Sequence, residues 1–272
     1  MIDIHCHVLP GIDDGPRSWE QSLDLCRAMV DNGIRQAIAT PHLIDGIYQN
    51  TRSRVDPLVS ELRERLRLAD VPLDVLSGAE VDLACHLVSS PSDELPTLGG
   101  GKAVLLEMPV AVVPHAMADI IFSIRAQDLI PVLAHPERNE LVQEDLDLVR
   151  EWIRAGAAIQ VDGDSFLGVW GRQSKRCAEK LLVAGLTHAI ASDAHSCDRR
   201  PPRLRQALEK AVDIIGPEAS ALVTSGPRTI LAGEVPEAIS GVGNGTHEKS
   251  STRRRRRSPT SMLGRFLNRS DR

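Results

Sequence analysis

Two histidines separated by one residue open the chain, His5 and His7 within Ile-Asp-Ile-His-Cys-His. Side chains alternate along an extended backbone, so both imidazoles leave on the same side and can hold one ion. Alone, such a pair is weak evidence. It gains weight from its company: Asp13-Asp14-Gly15 follows in a turn, and then His42, Glu80, Glu107, His135, Asp193 and His195 each end or follow a short β-branched or aliphatic run. Asp14 is favoured over Asp13 as the ligand from that turn. Imidazole mixed with carboxylate and no thiolate suits Mn²⁺, Fe²⁺ or Zn²⁺ with open positions, whereas a closed structural zinc site needs only four ligands. More than one ion is implied. Ions about 3.5 to 4 Å apart that share a water make hydroxide available near neutrality, and that chemistry hydrolyses phosphate esters.

Phosphate also calls for cationic forks, and Arg138 in His-Pro-Glu-Arg and Arg200, five residues beyond His195, are placed to supply them. The bland alternative makes each of these residues a turn cap or surface group. Against it, five of the nine histidines fall at strand ends; His86, His115, His188 and His247 fall outside the pattern and are read as structural. Three rival motifs fail on their own chemistry. Cys197 and Arg203 have the C-x₅-R spacing of cysteine phosphatases, but Pro201 and Pro202 cannot donate to a phosphate. Gly99-Gly100-Gly101-Lys102 precedes its strand instead of following it, and reads as a connecting turn. No dinucleotide fingerprint follows the first strand.

The elements that position these residues alternate. Strand-like runs are Met1 to His5, Ile34 to Thr40, Leu73 to Ala79, Ala103 to Glu107, Ile130 to His135, Ala157 to Val161 and His188 to Ser192. Helical stripes lie between most of them: Trp19, Leu23, Cys26 and Val30 after a Ser18/Gln21 capping box, then Val55, Leu58, Val59, Leu62 and Leu66. Leu146, Val149 and Ile153 precede Gly156, and Leu181 and Leu182 precede Gly185. Strand and helix in turn predict an α/β fold with a parallel sheet. In a closed barrel the carboxy-terminal strand ends converge on one face, which would gather all nine ligands into one bowl.

At 272 residues the chain suits one barrel plus a tail. Aromatic residues are only 3%, so the core must be aliphatic. The five cysteines are odd in number and widely spaced, which fits a reducing compartment; with no leader-like start and no long apolar run, the protein is expected to be cytoplasmic. From about Ser240 the apolar pattern dissolves, predicting a domain over 1–239 and an unfolded Arg-rich tail over 240–272. Residues 248–272 carry nine basic and two acidic groups, which leaves an acidic body unsuited to nucleic acid. The run Arg253 to Arg257 could contact an anionic membrane or an acidic partner.

The segments Ile2-Asp3-Ile4-His5-Cys6-His7, Asp13-Asp14-Gly15-Pro16, Pro41-His42, Gly78-Ala79-Glu80, Leu106-Glu107-Met108, Ala134-His135-Pro136-Glu137-Arg138 and Ile190-Ala191-Ser192-Asp193-Ala194-His195, with Arg200-Pro201-Pro202, resemble a known family. It comprises the capsular and exopolysaccharide tyrosine-protein phosphatases of the polymerase and histidinol phosphatase (PHP) superfamily. The resemblance covers residues 1 to about 235. It implies a distorted (β/α)₇ barrel, a centre of up to three ions usually active with Mn²⁺, and removal of phosphate from a bacterial tyrosine kinase of polysaccharide export. It makes His5, His7, Asp14, His42, Glu80, Glu107, His135, Asp193 and His195 the metal ligands, with Glu80 a bridge. Arg138 and Arg200 become contacts to the substrate phosphate. The Arg-rich extension is not part of the family pattern. Metal ligands report reaction type better than substrate, so a small phosphomonoester such as histidinol phosphate or a nucleotide is the alternative substrate. A non-catalytic, metal-binding kinase regulator is the alternative of another class. A phenolate leaving group needs little acid assistance; His42 or a water among the ligands are the candidates for what is needed. Oligomeric state is not legible.

Overall fold

The computed structural model describes residues 1–89, 93–114 and 116–239. Nine parallel strands carry the site: β1 (Ile2–Cys6), β2 (Gln36–Ala39), β3 (His42–Leu43), β4 (Asp74–Ser77), β5 (Glu80–Asp82), β6 (Ala103–Glu107), β7 (Ile130–Ala134), β8 (Ala158–Asp162) and β9 (Ala189–Ala191). They form two sheets, β1-β2-β4 and β3-β5-β6-β7-β8-β9.

Two of the seven expected runs, Ile34 to Thr40 and Leu73 to Ala79, are each followed after a break by a second short strand, and the break has a local cause. Pro41 has no amide to donate to a ladder. On the neighbouring stave, Gly78 packs where a side chain would meet Ile38 Cγ2 at 2.8 Å. The register is nevertheless continuous, because Gln36 faces Asp74 below the gap and His42 faces Glu80 above it. Each pair, β2 with β3 and β4 with β5, is one stave with a two-residue interruption.

Counted this way there are seven staves in chain order, and the ring closes between the last and the first. Cys6 bridges Ala194 in parallel, His7 N donates to Ala194 O at 2.8 Å, and Asp193 N donates to His5 O at 2.9 Å. The fold is a distorted (β/α)₇ barrel, as the sequence predicts.

Helices cover the outside: α1 (Trp19–Asp31), α2 (Arg52–Leu68), α3 (His86–Ser89), α4 (Met117–Arg125), α5 (Glu140–Glu144), α6 (Asp147–Arg154), α7 (Gly163–Leu167), α8 (Gly171–Val183), α9 (Leu204–Ile215) and α10 (Ser225–Leu231). Ser18 caps α1 by accepting from Gln21 N. The buried stripe of α1 differs from the expected one: Ser22, Leu25, Cys26 and Met29 face inward, while Trp19, Leu23 and Val30 pack at the edge. The reason is polar. Ser22 Oγ donates to Val8 O, which fixes that side of the helix against the loop after β1.

Alternation along the staves sorts the core into two layers. Ala37, Val104, Leu106, Leu133, Ile159 and Ile190 pack outward against the helices. Ile4, Ile38, Leu105, Val132, Ala158 and Ala189 pack together inside, where Leu98 and Ile230 join them. The small inner residues let the barrel close without aromatics. Those inner aliphatics fill one end; the inward positions at the other end are polar.

The expected tail over 240–272, with Arg253 to Arg257, lies outside the described residues, as do His115 and His247. Among the described residues no helix is long and apolar enough to cross a membrane.

His188, expected to be structural, is buried before β9, where its Nδ1 accepts from Ile159 N at 3.0 Å. Burial lowers its pKa to about 4. The folded state therefore resists a proton that the unfolded chain takes up below about 6.5, so this contribution to stability is complete above pH 6.5 and is lost as pH falls towards 4. Denaturant unfolding of wild type and His188→Gln across that window should show a pH slope shallower in the variant by up to ~1.4 kcal/mol per pH unit.

Candidate metal centre

The expected ligand residues reach the polar end of the barrel by three backbone devices. The first is a bulge in β1, where Asp3 faces Ala37 but Cys6, three residues on, faces Ala39 only two residues on. The extra residue re-aims the strand. Ile4 joins the inner aliphatic cluster, Cys6 packs in the outer layer, and the rings of His5 and His7 both point into the bowl. The second is simple alternation. Leu105 is inside, so Glu107 is too; the same phase places Glu80 on β5 and Gln160 and Asp162 on β8. The third is a left-handed turn at the end of a stave: His135 follows β7 at φ 36° and Asp193 follows β9 at φ 49°. Non-glycine residues seldom adopt this conformation, and it collects at functional sites.

All nine expected ligands meet. Potential ligand atoms lie within 4.8 Å of one another in four overlapping groups: His5, His7 and Asp193; His5, Glu80 and His135; His42, Glu80 and Glu107; and His7, Asp14, His42 and His195. Glu80 joins two of these groups and touches members of the other two. Its Oε2 is 3.3 Å from His5 Nε2, 3.5 Å from His7 Nε2 and 3.1 Å from His42 Nδ1, while its Oε1 is 2.8 Å from His135 Nε2. Asp14 Oδ1 lies 3.5 Å from His42 Nε2 and 3.2 Å from His195 Nε2. Overlapping groups that share carboxylates suit a cluster of ions. The set also has the right chemistry, imidazole and carboxylate without thiolate, for Mn²⁺, Fe²⁺ or Zn²⁺.

The charge balance points the same way. Burial alone would lower the pKa of His5, yet Glu80 and Asp193 carry it up to about 9. For His42, burial is likewise outweighed by Glu107 and Glu80, to about 11. Burial would raise Glu80 and Asp193, but the neighbouring His5, with Arg138 and Arg200 beside Asp193, holds both well below the usual carboxylate range. The bowl therefore favours positive charge strongly. Ligation requires neutral imidazole, so metal ions and protons compete for it, and the ions win as pH rises.

Further residues aim the expected ligands: Gln160 and Asp3, which the sequence does not single out, and Asp13, which it offers only as a ligand. Gln160 Oε1 lies 2.9 Å from His5 Nδ1, and Asp13 Oδ2 lies 2.8 Å from His7 Nδ1. The Asp193 carbonyl takes His195 Nδ1 at 2.9 Å. Each contact leaves Nε2 turned to the centre. Buried Asp3 ties the ring shut: its Oδ2 accepts from Ser192 Oγ at 2.5 Å and its Oδ1 from Ser192 N at 3.0 Å. Alternation gave a signal for Gln160 and Asp162, two polar residues in phase with inward Ala158. Nothing local marked Asp3.

Both expected arginines lie at the bowl. Arg138 Nη2 is 2.6 Å from Asp193 Oδ2 and also contacts Asp162; Arg200 Nη2 is 2.5 Å from Asp193 Oδ2, and its Nη1 is 2.9 Å from His195 Nε2. A cavity of about 410 Å³ opens beside Asp14 and His195, lined also by Arg17, Gln21 and Arg199. The rival cysteine site does not assemble, because Arg203 donates to Asp164 Oδ2 at 2.6 Å and partial burial raises the Cys197 thiol. His86 fastens a loop, with its Nδ1 2.8 Å from Asp45 Oδ1.

The sequence model of a family described as capsular polysaccharide synthesis, CpsB/CapC, matches residues 1–232. Tyrosine-protein phosphatase YwqE of Bacillus subtilis (strain 168) is 35% identical over 232 residues, 85% of this chain and 91% of that protein. Tyrosine-protein phosphatase CpsB of Streptococcus pneumoniae is 28% identical over 238 residues, 85% of this chain and 98% of that one. The crystal structures of YwqE and CpsB, described as unique metal-dependent tyrosine phosphatases, include a chain that superposes with TM-score 0.81 at 34% identity, covering 88% of this chain and all of that one. A lactonase mutant from Deinococcus radiodurans shares the fold alone, at TM-score 0.55 and 12% identity over 85% of this chain and 95% of that one.

Because Asp13 aims His7 without needing to touch an ion itself, Asp13→Asn should weaken metal retention by about tenfold to a hundredfold with the fold intact. Chelator competition followed by elemental analysis measures this; affinity equal to wild type would remove Asp13 from the site.

Proposed function

The chain belongs to the capsular polysaccharide synthesis CpsB/CapC family, and from that premise we propose that it is a metal-dependent phosphatase that hydrolyses phosphotyrosine in protein. The observation that carries the reading is the meeting of imidazole and carboxylate groups around Glu80, with two guanidinium groups at their edge. His5, His7, Asp14, His42, Glu80, Glu107, His135, Asp193 and His195 hold the ions, up to three, with Mn²⁺ the expected metal. When bound, the ions supply Lewis acidity and a water acidic enough to act as nucleophile near neutral pH.

The chain's own residues do the rest. Glu80 spans neighbouring ligand groups and sets their separation. Arg138 and Arg200 offer N–H edges to the phosphoryl oxygens and offset the charge that gathers on them. The leaving tyrosine oxygen has a pKa near 10 as a free phenol and needs little help from an acid. His42, mostly buried and held protonated by Glu107 and Glu80 in the absence of ions, would not serve as the acid once it ligates. The remaining proton for the phenolate then comes from water. The substrate is taken to be a phosphotyrosine protein, with a bacterial tyrosine kinase the expected one. The catalytic unit is taken as 1–239, and the Arg-rich sequence of 240–272 offers charge to an anionic membrane or acidic partner.

Protein supplemented with Mn²⁺ should release phosphate from phosphotyrosine peptides, and a chelator should abolish the release. His5→Ala should lower kcat/KM by at least about a hundredfold while circular dichroism stays native, and Cys197→Ser should leave turnover unchanged. Full activity in the His5 variant, or full loss in the Cys197 variant, would reject the mechanism.

A further inference from the structure

The two arginines at the bowl share a neighbour that neither the ligand pattern nor the family match assigns, the indole of Trp170. Its ring centroid lies 4.0 Å from the guanidinium carbon of Arg138 and 5.2 Å from that of Arg200. The ring is itself anchored. Trp170 Nε1 donates to Asp162 Oδ2, the oxygen that also accepts from Arg138 Nη2, and Asp162 is fully buried.

We propose that Trp170 is a positioning residue, an aromatic platform that holds both guanidinium groups so that their N–H edges converge on the phosphoryl group of the substrate. The proposal rests on the reading of Arg138 and Arg200 as phosphate contacts. Its physical basis is a difference between two ways of steadying a cation. A carboxylate neutralises a guanidinium by taking its N–H donors, which are then lost to the ligand. An aromatic face attracts the same cation through its quadrupole and leaves the in-plane donors open.

Both ways operate here on different edges. Asp193 Oδ2 takes one Nη2 from each arginine, at 2.6 and 2.5 Å, and so draws two like charges together. The indole covers a face of both and contributes attraction without competing for donors. Arg138 Nε is buried with no hydrogen-bond partner among the described residues, so no carboxylate holds that edge of the guanidinium. The hydrogen bond to Asp162 orients the ring, and the backbone that carries it turns at Gly168 and Gly171, with φ 82° and 89° on either side of Val169 and Trp170.

The test compares wild type, Trp170→Phe and Trp170→Leu, all loaded with Mn²⁺. Phenylalanine keeps an aromatic face, whereas leucine fills space without one. The leucine variant should bind inorganic phosphate about tenfold to a hundredfold more weakly, read as competitive inhibition and by calorimetry, and lose kcat/KM on a phosphotyrosine peptide to match. Its metal content should equal wild type. The phenylalanine variant should stay within about threefold of wild type in phosphate affinity. Wild type should also show a phosphate-dependent change in tryptophan fluorescence that both variants lack, since Trp152 is in the core and Trp19 lies under Arg65. Phosphate affinity unchanged in the leucine variant, or equal losses in both variants, would overturn the platform. If wild type binds phosphate in a Trp170-dependent way but leaves phosphotyrosine intact, the platform stands and the substrate assignment falls.

Discussion

Glu80 is the constraint on which the rest of the site depends. A buried carboxylate is costly unless its charge is met, and here three histidines from three different staves meet it within hydrogen-bonding or near-bonding distance. Removing one partner of such a buried pair typically costs about 3–5 kcal/mol. The position of Glu80 is therefore not a detail of one strand. It fixes how far β1, β3 and β7 stand apart at the polar end, and the aliphatic cluster at the opposite end fills whatever space that separation leaves. Stability at one end and chemistry at the other are set by one ring of staves.

The same economy explains the strained backbone. His135 sits in a left-handed turn because alternation along β7, with Val132 and Ala134 inside, would have put its side chain on the wrong side of the wall; Asp193 is already in phase with inward Ala189 and Ala191, and its left-handed turn comes where the last stave meets β1. Instead of another bulge, the chain turns sharply at the last residue of the stave. Neighbouring contacts hold each turn: His135 N donates to Gln160 O at 2.8 Å, and Asp193 N to His5 O at 2.9 Å. The strain is local, and the closed ladder holds it.

Much of this was legible in the residues. Short aliphatic runs with His, Asp or Glu at or just past their ends marked both the staves and the side chains that meet in the bowl, because a parallel barrel puts the same end of every strand on the same face. What escaped detection was whatever depends on distance in space. Asp3 acts on Ser192, and Gln160 acts on His5, pairs separated by most of the chain. The bulge in β1 was also invisible, since the pattern Ile-Asp-Ile-His-Cys-His reads as uninterrupted alternation although Ile4 and His5 share the interior. Nothing in the sequence around Trp170 marks it. Only its position over two guanidinium groups sets it apart.

The closing contact between β1 and the Ser192 to Ala194 segment has a further consequence for how the molecule comes into being. The first stave is made early in synthesis, yet its outer neighbour is not made until some 189 residues later. Contacts of such long sequence separation form late and slow the search for the native state. His5 and His7 thus emerge from the ribosome long before the carboxylate and imidazole that complete their bowl. Ions that bind only the finished ring draw the assembly towards closure by mass action, so metal supply during translation bears on yield as well as on turnover.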